Sequence, residues 1–154
     1  MYVDDTCISS KDPKPIITEL KGKHNFKLKG VGPLDYHLGT GYYRDPSGVL
    51  CGSAQRYIER MLDGFKTMFP GEEPNRQKKT PLPNNDHPEI DETQFLKEEG
   101  IQKYQSMMGA LKWVVTLGRF DIMSATVRIE PREGHLQRRK DSYGYLERTK
   151  SGSI

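Results

Sequence analysis

Cysteine is nearly absent: Cys7 and Cys51 are the only two in 154 residues. They form no Cys-x-x-Cys pair, so neither a disulfide framework nor a thiolate zinc site can organise the fold. They read as free thiols in a reducing compartment. Long apolar runs are missing too. Hydrophobic residues make up 34% of the chain, and no stretch approaches the length needed to span a bilayer. The N-terminus lacks the charged, apolar and small-residue zones of a signal peptide. These absences lead to the expectation of a soluble intracellular protein. The four histidines (His24, His37, His87 and His135) show no metal-ligand spacing and are expected at the surface. Gly39-x-Gly41 lacks the third glycine of a dinucleotide fingerprint. Trp113 is the single tryptophan and, at helical spacing, is expected in the core. No internal repeat is visible.

What is present is turn chemistry and unevenly spread charge. Glycine and proline number 15 and 10, which leaves a lean core for one domain. Net charge is +3. Residues 70–99 carry eight acidic groups against four basic ones, whereas residues 100–154 carry ten basic against five acidic. Basic ends around an acidic middle suit a nucleic-acid partner. Residues 2–9 read as strand, turn and the start of a second strand. Residues 14–24 read as a helix with Ile16, Ile17 and Leu20 on one face. Phe26 and Leu28 alternate with Lys27 and Lys29, the period of a half-buried strand. Leu34, Tyr36 and Leu38, then Tyr42 and Tyr43, lead to Asp45-Pro46-Ser47-Gly48, which suits a type I turn, before Val49-Leu50-Cys51 returns as a hairpin. Ser53 is placed to cap a helix over about 54–68 with an apolar stripe of Tyr57, Ile58, Met61, Leu62 and Phe65. Residues 70–93 hold five prolines and almost no large apolar group, so they read as an extended linker. Helices follow over about 100–118, from near Asp121, and over about 133–148. Met107, Met108 and Met123 read as core, and Asp121 as a helix cap.

The stretch that carries chemistry is Tyr2-Val3-Asp4-Asp5. Adjacent carboxylates are disfavoured in strand interiors, so the pair is expected on a tight turn. There it makes a hard, oxygen-rich site suited to Mg²⁺, or else an ordinary solvated acid pair. The string resembles the palm signature of reverse transcriptases. Gly32-Pro33-Leu34-Asp35-Tyr36-His37-Leu38-Gly39, Gln55-Arg56-Tyr57-Ile58, Met108-Gly109-Ala110-Leu111, Arg119-Phe120-Asp121-Ile122 and Tyr145-Leu146 follow it. Their order is that of the polymerase of Ty1/copia-type LTR retrotransposons.

The resemblance implies an α+β fragment of an RNA-directed DNA polymerase. Residues 1–52 would be a partial palm with a primer-grip hairpin and 53–69 a thumb-like helix. Residues 70–99 would be an acidic, proline-rich linker and 100–154 a helical connection region. By the same resemblance Asp4 and Asp5 would be catalytic ligands for Mg²⁺ or Mn²⁺, with Asp4 the principal one. Tyr2, Val3, Leu38, Gly39, Gln55 and Arg56 would contact the primer or its template, with Gly39 and Gly41 letting backbone approach phosphate. Lys27 or Lys29 would approach the triphosphate. The partners would be an RNA or DNA template–primer duplex and dNTP, in a cytoplasmic retrotransposon particle or the nucleus.

The family's fingers and first palm aspartate would lie before Met1, and its RNase H domain would follow the last helix. The expectation is therefore a fragment inactive by itself. The alternatives are a non-catalytic nucleic-acid-binding remnant and a pseudogene product without function.

Overall fold

A computed structural model describes residues 6–82, 87, 90–126 and 131–151. Tyr2, Val3, Asp4 and Asp5 lie outside the described residues, so the expected acid-pair turn does too. The described chain is α+β, with a three-stranded antiparallel sheet in the order β1–β2–β3 and four α-helices.

The first helix, α1 (Lys14–Gly22), forms where the sequence places it, with proline in its first turn. It buries no residue, and Ile16 is exposed. The strand expected from the alternation at 26–29 is absent, and residues 6–9 are not strand either. Alternation prepares one face of a strand, but a strand also needs a neighbour for its N–H and C=O groups. No described segment pairs with 26–29, and the Phe26 amide instead donates to the Leu20 carbonyl at 3.0 Å.

The sheet comprises β1 (Tyr36–His37), β2 (Thr40–Arg44) and β3 (Leu50–Ser53). The helix α2 (Gln55–Met68) follows at once. Ala54 holds the cap position, but the Ser53 hydroxyl accepts the Gln55 amide at 3.2 Å and so meets one of the orphan donors of the first turn. The helix α3 (Glu98–Thr116) begins with Glu98 and Glu99, which complement the positive end of its dipole. A 3₁₀ helix (Phe120–Thr126) stands where a second α-helix was expected. The helix α4 covers Glu133–Thr149.

The core lies among these helices. Ile58, Met61, Leu62 and Phe65 of α2 meet Met107, Leu111 and Val114 of α3, Tyr143 and Leu146 of α4, and Ile122 of the 3₁₀ helix. Phe65 is its aromatic centre, with ring centroids 4.9 Å from Phe69 and 5.5 Å from Tyr143. Each fully buried side chain of this kind contributes roughly 1.5–3 kcal/mol, whereas an exposed ion pair contributes ~0–1 kcal/mol. The apolar seam therefore supplies the stability. Met123, expected in the core, is 52% exposed, because the 3₁₀ helix turns Ile122 and Ala125 inward instead.

The stretch read as a linker is fastened to α4. Lys140 pairs with Glu72 at 2.6 Å, Lys78 with Asp141 at 2.7 Å and Arg76 with Glu147 at 2.8 Å, and the Ser142 hydroxyl donates to the Pro81 carbonyl at 3.0 Å. Lys103 and Lys140 also lie over the Phe69 ring, at 5.3 and 4.0 Å. Two glycines of α4 let the strap approach. A methyl group on Gly144 would lie 2.2 Å from the Asn75 carbonyl oxygen, and one on Gly134 would overlap the Asp91 carboxylate.

Further along, Asp91 is buried at the start of α4. It accepts the Thr93 hydroxyl and amide and pairs with Arg138. Its carboxyl is held far below the usual range, first by the Thr93 hydroxyl, then by the Thr93 amide, Arg138 and the nearby His135, all against the effect of burial. His135 is not at the surface, as expected from sequence, but 1% exposed. Its Nδ1 accepts the Arg132 amide at 3.2 Å and closes the first turn of α4.

Two outcomes follow from this packing. Gly144→Ala should destabilise by roughly 1–3 kcal/mol through overpacking against Asn75. Gly109→Ala in α3, with open space around it, should stabilise by about 0.5–1 kcal/mol through helix propensity. Chemical denaturation measures both, and limited proteolysis should cut within 70–82 faster in Gly144→Ala alone. A depressed folded pKa at Asp91 adds stability above the ordinary carboxylate range of about pH 4, and that stability is lost as pH falls. Asp91→Asn should therefore be less stable than the unaltered chain at pH 7. The gap should close toward pH 2 in melts taken across pH.

Candidate nucleic-acid interface

Of the residues expected to touch nucleic acid, the described ones, Leu38, Gly39, Gln55 and Arg56, lie on the sheet's first turn and the first turn of α2. Two turns shape this unit. Leu38 and Gly39 join β1 to β2 with positive φ at both positions, 52° and 95°. That is the type I′ geometry that matches strand twist. Between β2 and β3, the Gly48 amide donates to the Asp45 carbonyl at 2.9 Å, and Gly48 has φ 85°. A type I turn closed by a glycine bulge results. The Asp45 carboxylate accepts the Ser47 hydroxyl at 2.7 Å and the Val49 amide at 2.9 Å, which lowers its pKa, the hydroxyl bond first.

Gly39 does approach a neighbour closely, but the neighbour belongs to the fold. A methyl group at its Cα would lie 3.0 Å from the Trp113 indole nitrogen and 3.1 Å from a Leu117 methyl. The tight turn is thus seated on α3 and is buried. A methyl group on Gly41 would make only ordinary contacts, 3.7 Å from the Ser53 carbonyl and 3.9 Å from the Arg56 side chain. Leu38 is half-buried beside them. The close approach at Gly39 is thus to protein neighbours.

Arg56 is engaged as well. Its guanidinium grips Asp35 with both nitrogens, at 2.9 and 3.3 Å, and lies 5.7 Å from the Tyr36 ring centroid. Its pKa is raised, chiefly by that Asp35 hydrogen bond. The Gln55 amide donates to Glu59 at 2.9 Å. Both residues therefore tie α2 to itself or to β1, with outer edges still open to water. Lys66 faces Glu73 at 4.0 Å. Lys27 and Lys29 are exposed in an irregular segment, away from any strand. A groove of about 540 Å³ runs beside this unit, lined by Asp35, Tyr42, Tyr43, Ser53, Gln55 and Arg56 among others.

Sequence reasoning gave Asp35, Tyr36 and Arg60 no part in the interface. The guanidinium of Arg60 lies 5.3 Å from the Tyr36 centroid and 5.9 Å from that of Tyr57, and it donates to the Tyr36 hydroxyl. The available signal was the i, i+4 spacing of Arg56 and Arg60, which puts both on one helix face.

Asp121 has a structural partner set. It accepts Arg119 at 2.9 and 2.8 Å and the Tyr145 hydroxyl at 2.8 Å, while Arg119 also reaches Thr149 at 2.7 Å. Its carboxyl is held below the usual range, mainly by Arg119. The group ties the end of α3 to α4. Among the described residues no cluster of three His, Cys, Asp or Glu side chains could hold a metal ion. No described helix is long and apolar enough to cross a membrane.

Over 159 aligned residues the chain is 29% identical to a Saccharomyces cerevisiae (strain ATCC 204508 / S288c) protein named "Putative transposon Ty5-1 protein". The match covers 98% of this chain and 49% of the yeast protein, so the chain spans about half the length of that relative. This similarity supports a retrotransposon-related origin. No family model matches the chain, and no solved structure does.

Gly39→Ala should cost about 1–2 kcal/mol, since a Cβ disfavours this positive φ and would press on Trp113. Because Trp113 is the single tryptophan, its emission should shift in the folded variant. An unchanged emission spectrum with unchanged stability would contradict the seating of the turn on α3.

Proposed function

We propose that the chain is part of the RNA-directed DNA polymerase of a Ty1/copia-type retrotransposon: a palm portion, a primer-grip hairpin, a thumb-like helix and a connection region. The observation that carries this reading is the similarity to a transposon protein along 98% of the chain. The chain also holds Tyr2-Val3-Asp4-Asp5 and its downstream blocks in the family's order. The hairpin packed on α2 supports it further, because those two elements are the ones that the resemblance assigns to the primer.

In the parent enzyme Asp4 and Asp5 would hold divalent ions. Bound there, Mg²⁺ or Mn²⁺ would acidify the primer 3′-hydroxyl and steady the leaving pyrophosphate. The donor chemistry fits: two adjacent carboxylates form a hard oxygen set. Tyr2 and Val3 would line the floor beside the primer end, and Lys27 or Lys29 would meet the triphosphate. The Leu38-Gly39 turn would position the primer strand, with Gln55 offering its outer edge to the duplex backbone. Contacts of that kind bind without reading sequence.

A single turn with two carboxylates supplies only part of a two-metal site. The purified chain is therefore expected to incorporate no dNTP on a primed template with Mg²⁺. Primer-dependent incorporation would overturn that statement. Duplex binding is a separate matter. An RNA–DNA hybrid primer–template should bind, and the logarithm of the affinity should fall linearly with that of salt concentration, by about 0.9 per phosphate contact. The double variant Asp4→Asn with Asp5→Asn should keep that binding. Absence of binding at about 50 mM salt, where such contacts are strong, would overturn the nucleic-acid reading altogether.

A further inference from the structure

The first two turns of α2 carry two guanidiniums against one aromatic ring. Arg56 and Arg60 lie one helical turn apart, and their central carbons sit 5.7 and 5.3 Å from the Tyr36 centroid. Like charges at this spacing repel weakly, which favours an anion beside each. Asp35 supplies one to Arg56, with two hydrogen bonds. The neighbouring acid on the helix, Glu59, accepts from Gln55. Asp63, one turn further on, is exposed and does not pair with Arg60. Among the described residues no carboxylate pairs with Arg60.

Arg60 is also pre-ordered. The Tyr36 hydroxyl accepts from its Nη2, and its central carbon lies 5.3 and 5.9 Å from the Tyr36 and Tyr57 ring centroids. A guanidinium has five N–H donors, and one hydroxyl satisfies one of them. The remaining edge faces solvent on an exposed residue. A side chain held in this way loses little rotamer freedom when an anion binds. Guanidinium planes match phosphate oxygens in pairs.

We propose that Arg60, held by the Tyr36 hydroxyl and with no carboxylate partner among the described residues, is the α2 cation that contacts a nucleic-acid phosphate, while Asp35 holds Arg56 back from that contact. The inference rests on the polymerase reading for the nature of its partner, a phosphodiester backbone. It departs from that reading in the residue chosen, since the resemblance points to Arg56.

The test is the binding of a fluorescent RNA–DNA hybrid primer–template by anisotropy at several salt concentrations, with the full chain and three variants. Arg60→Gln should weaken binding about three- to tenfold and lower the salt slope by about one contact, near 0.9. Arg56→Gln should change affinity less than about twofold. Asp35→Asn should tighten binding and steepen the slope, because it releases Arg56. Thermal melts confirm that each variant folds. A measurement on the unaltered chain stands beside these, should Arg60→Gln fail to fold. On titration with duplex, the ¹⁵N-labelled Nε–H resonance of Arg60 should shift and that of Arg56 should stay. Unchanged affinity and slope in Arg60→Gln, a larger loss in Arg56→Gln, or a shift confined to Arg56 would each overturn the proposal while leaving the polymerase reading in place. Failure of the unaltered chain to bind duplex would overturn both.

Discussion

Burial of one face of α2 is the constraint on which the rest of the described structure depends. Ile58, Met61, Leu62 and Phe65 recur at helical spacing and turn toward α3 and α4. Their burial fixes the rotation of α2 about its axis. That rotation then places Arg56 and Arg60 on the flank where β1 arrives. The hairpin is held there by the ion pair with Asp35, by the Tyr36 ring and by Gly39 pressed on Trp113. A different rotation of α2 would leave β1 without its ion-pair partner and the tight turn without its seat. The candidate interface is thus a consequence of core packing, expressed on the surface one helical face away.

On the far side of the core, the same logic takes an electrostatic form. The strap of residues 72–81 meets α4 through pairs of both polarities: Glu72 with Lys140, Lys78 with Asp141, Arg76 with Glu147. Each such pair is worth ~0–1 kcal/mol when exposed, so the pairs do not hold the protein together. What they add is register, because sliding the strap would bring like charges together. Gly144 reinforces that register sterically, since only a residue without Cβ admits Asn75 at this point. Of these three pairs, only Glu72 with Lys140 joins an acid of the middle to a base of the end; the other two join bases of the middle to acids of the end, so the basic excess of residues 100–154 is not cancelled here.

The front of the chain follows a different pattern. The helix α1 has a clear apolar face, yet it buries nothing among the described residues. The neighbouring alternation at Phe26 and Leu28 produces no strand. Local periodicity there specifies which face is apolar but supplies no partner. Periodicity in α2, α3 and α4 succeeds because those three faces find one another.

Much of the secondary structure was legible in the sequence. The positions of α1, α2, α3 and α4, and the turn at Asp45-Pro46-Ser47-Gly48, follow from apolar spacing, breakers and turn residues, which act over a few residues. A retrotransposon-related origin was legible as well, from short blocks in a family-like order, and the 29% identity to a transposon protein supports it.

Other features were decided by tertiary structure alone. Nothing local distinguishes His135 from a surface histidine. It is buried because Asp91 and Arg132 close over the start of α4. Nothing local reveals that Gly39 faces an indole, that Gly144 admits a carbonyl, or that Arg56 is already engaged. In each case the partner is far along the chain and arrives only when the helices pack. Composition and period determine which elements form and which of their faces are apolar. Which cations of α2 already have an anion depends on long-range pairing, as Arg56 with Asp35 shows.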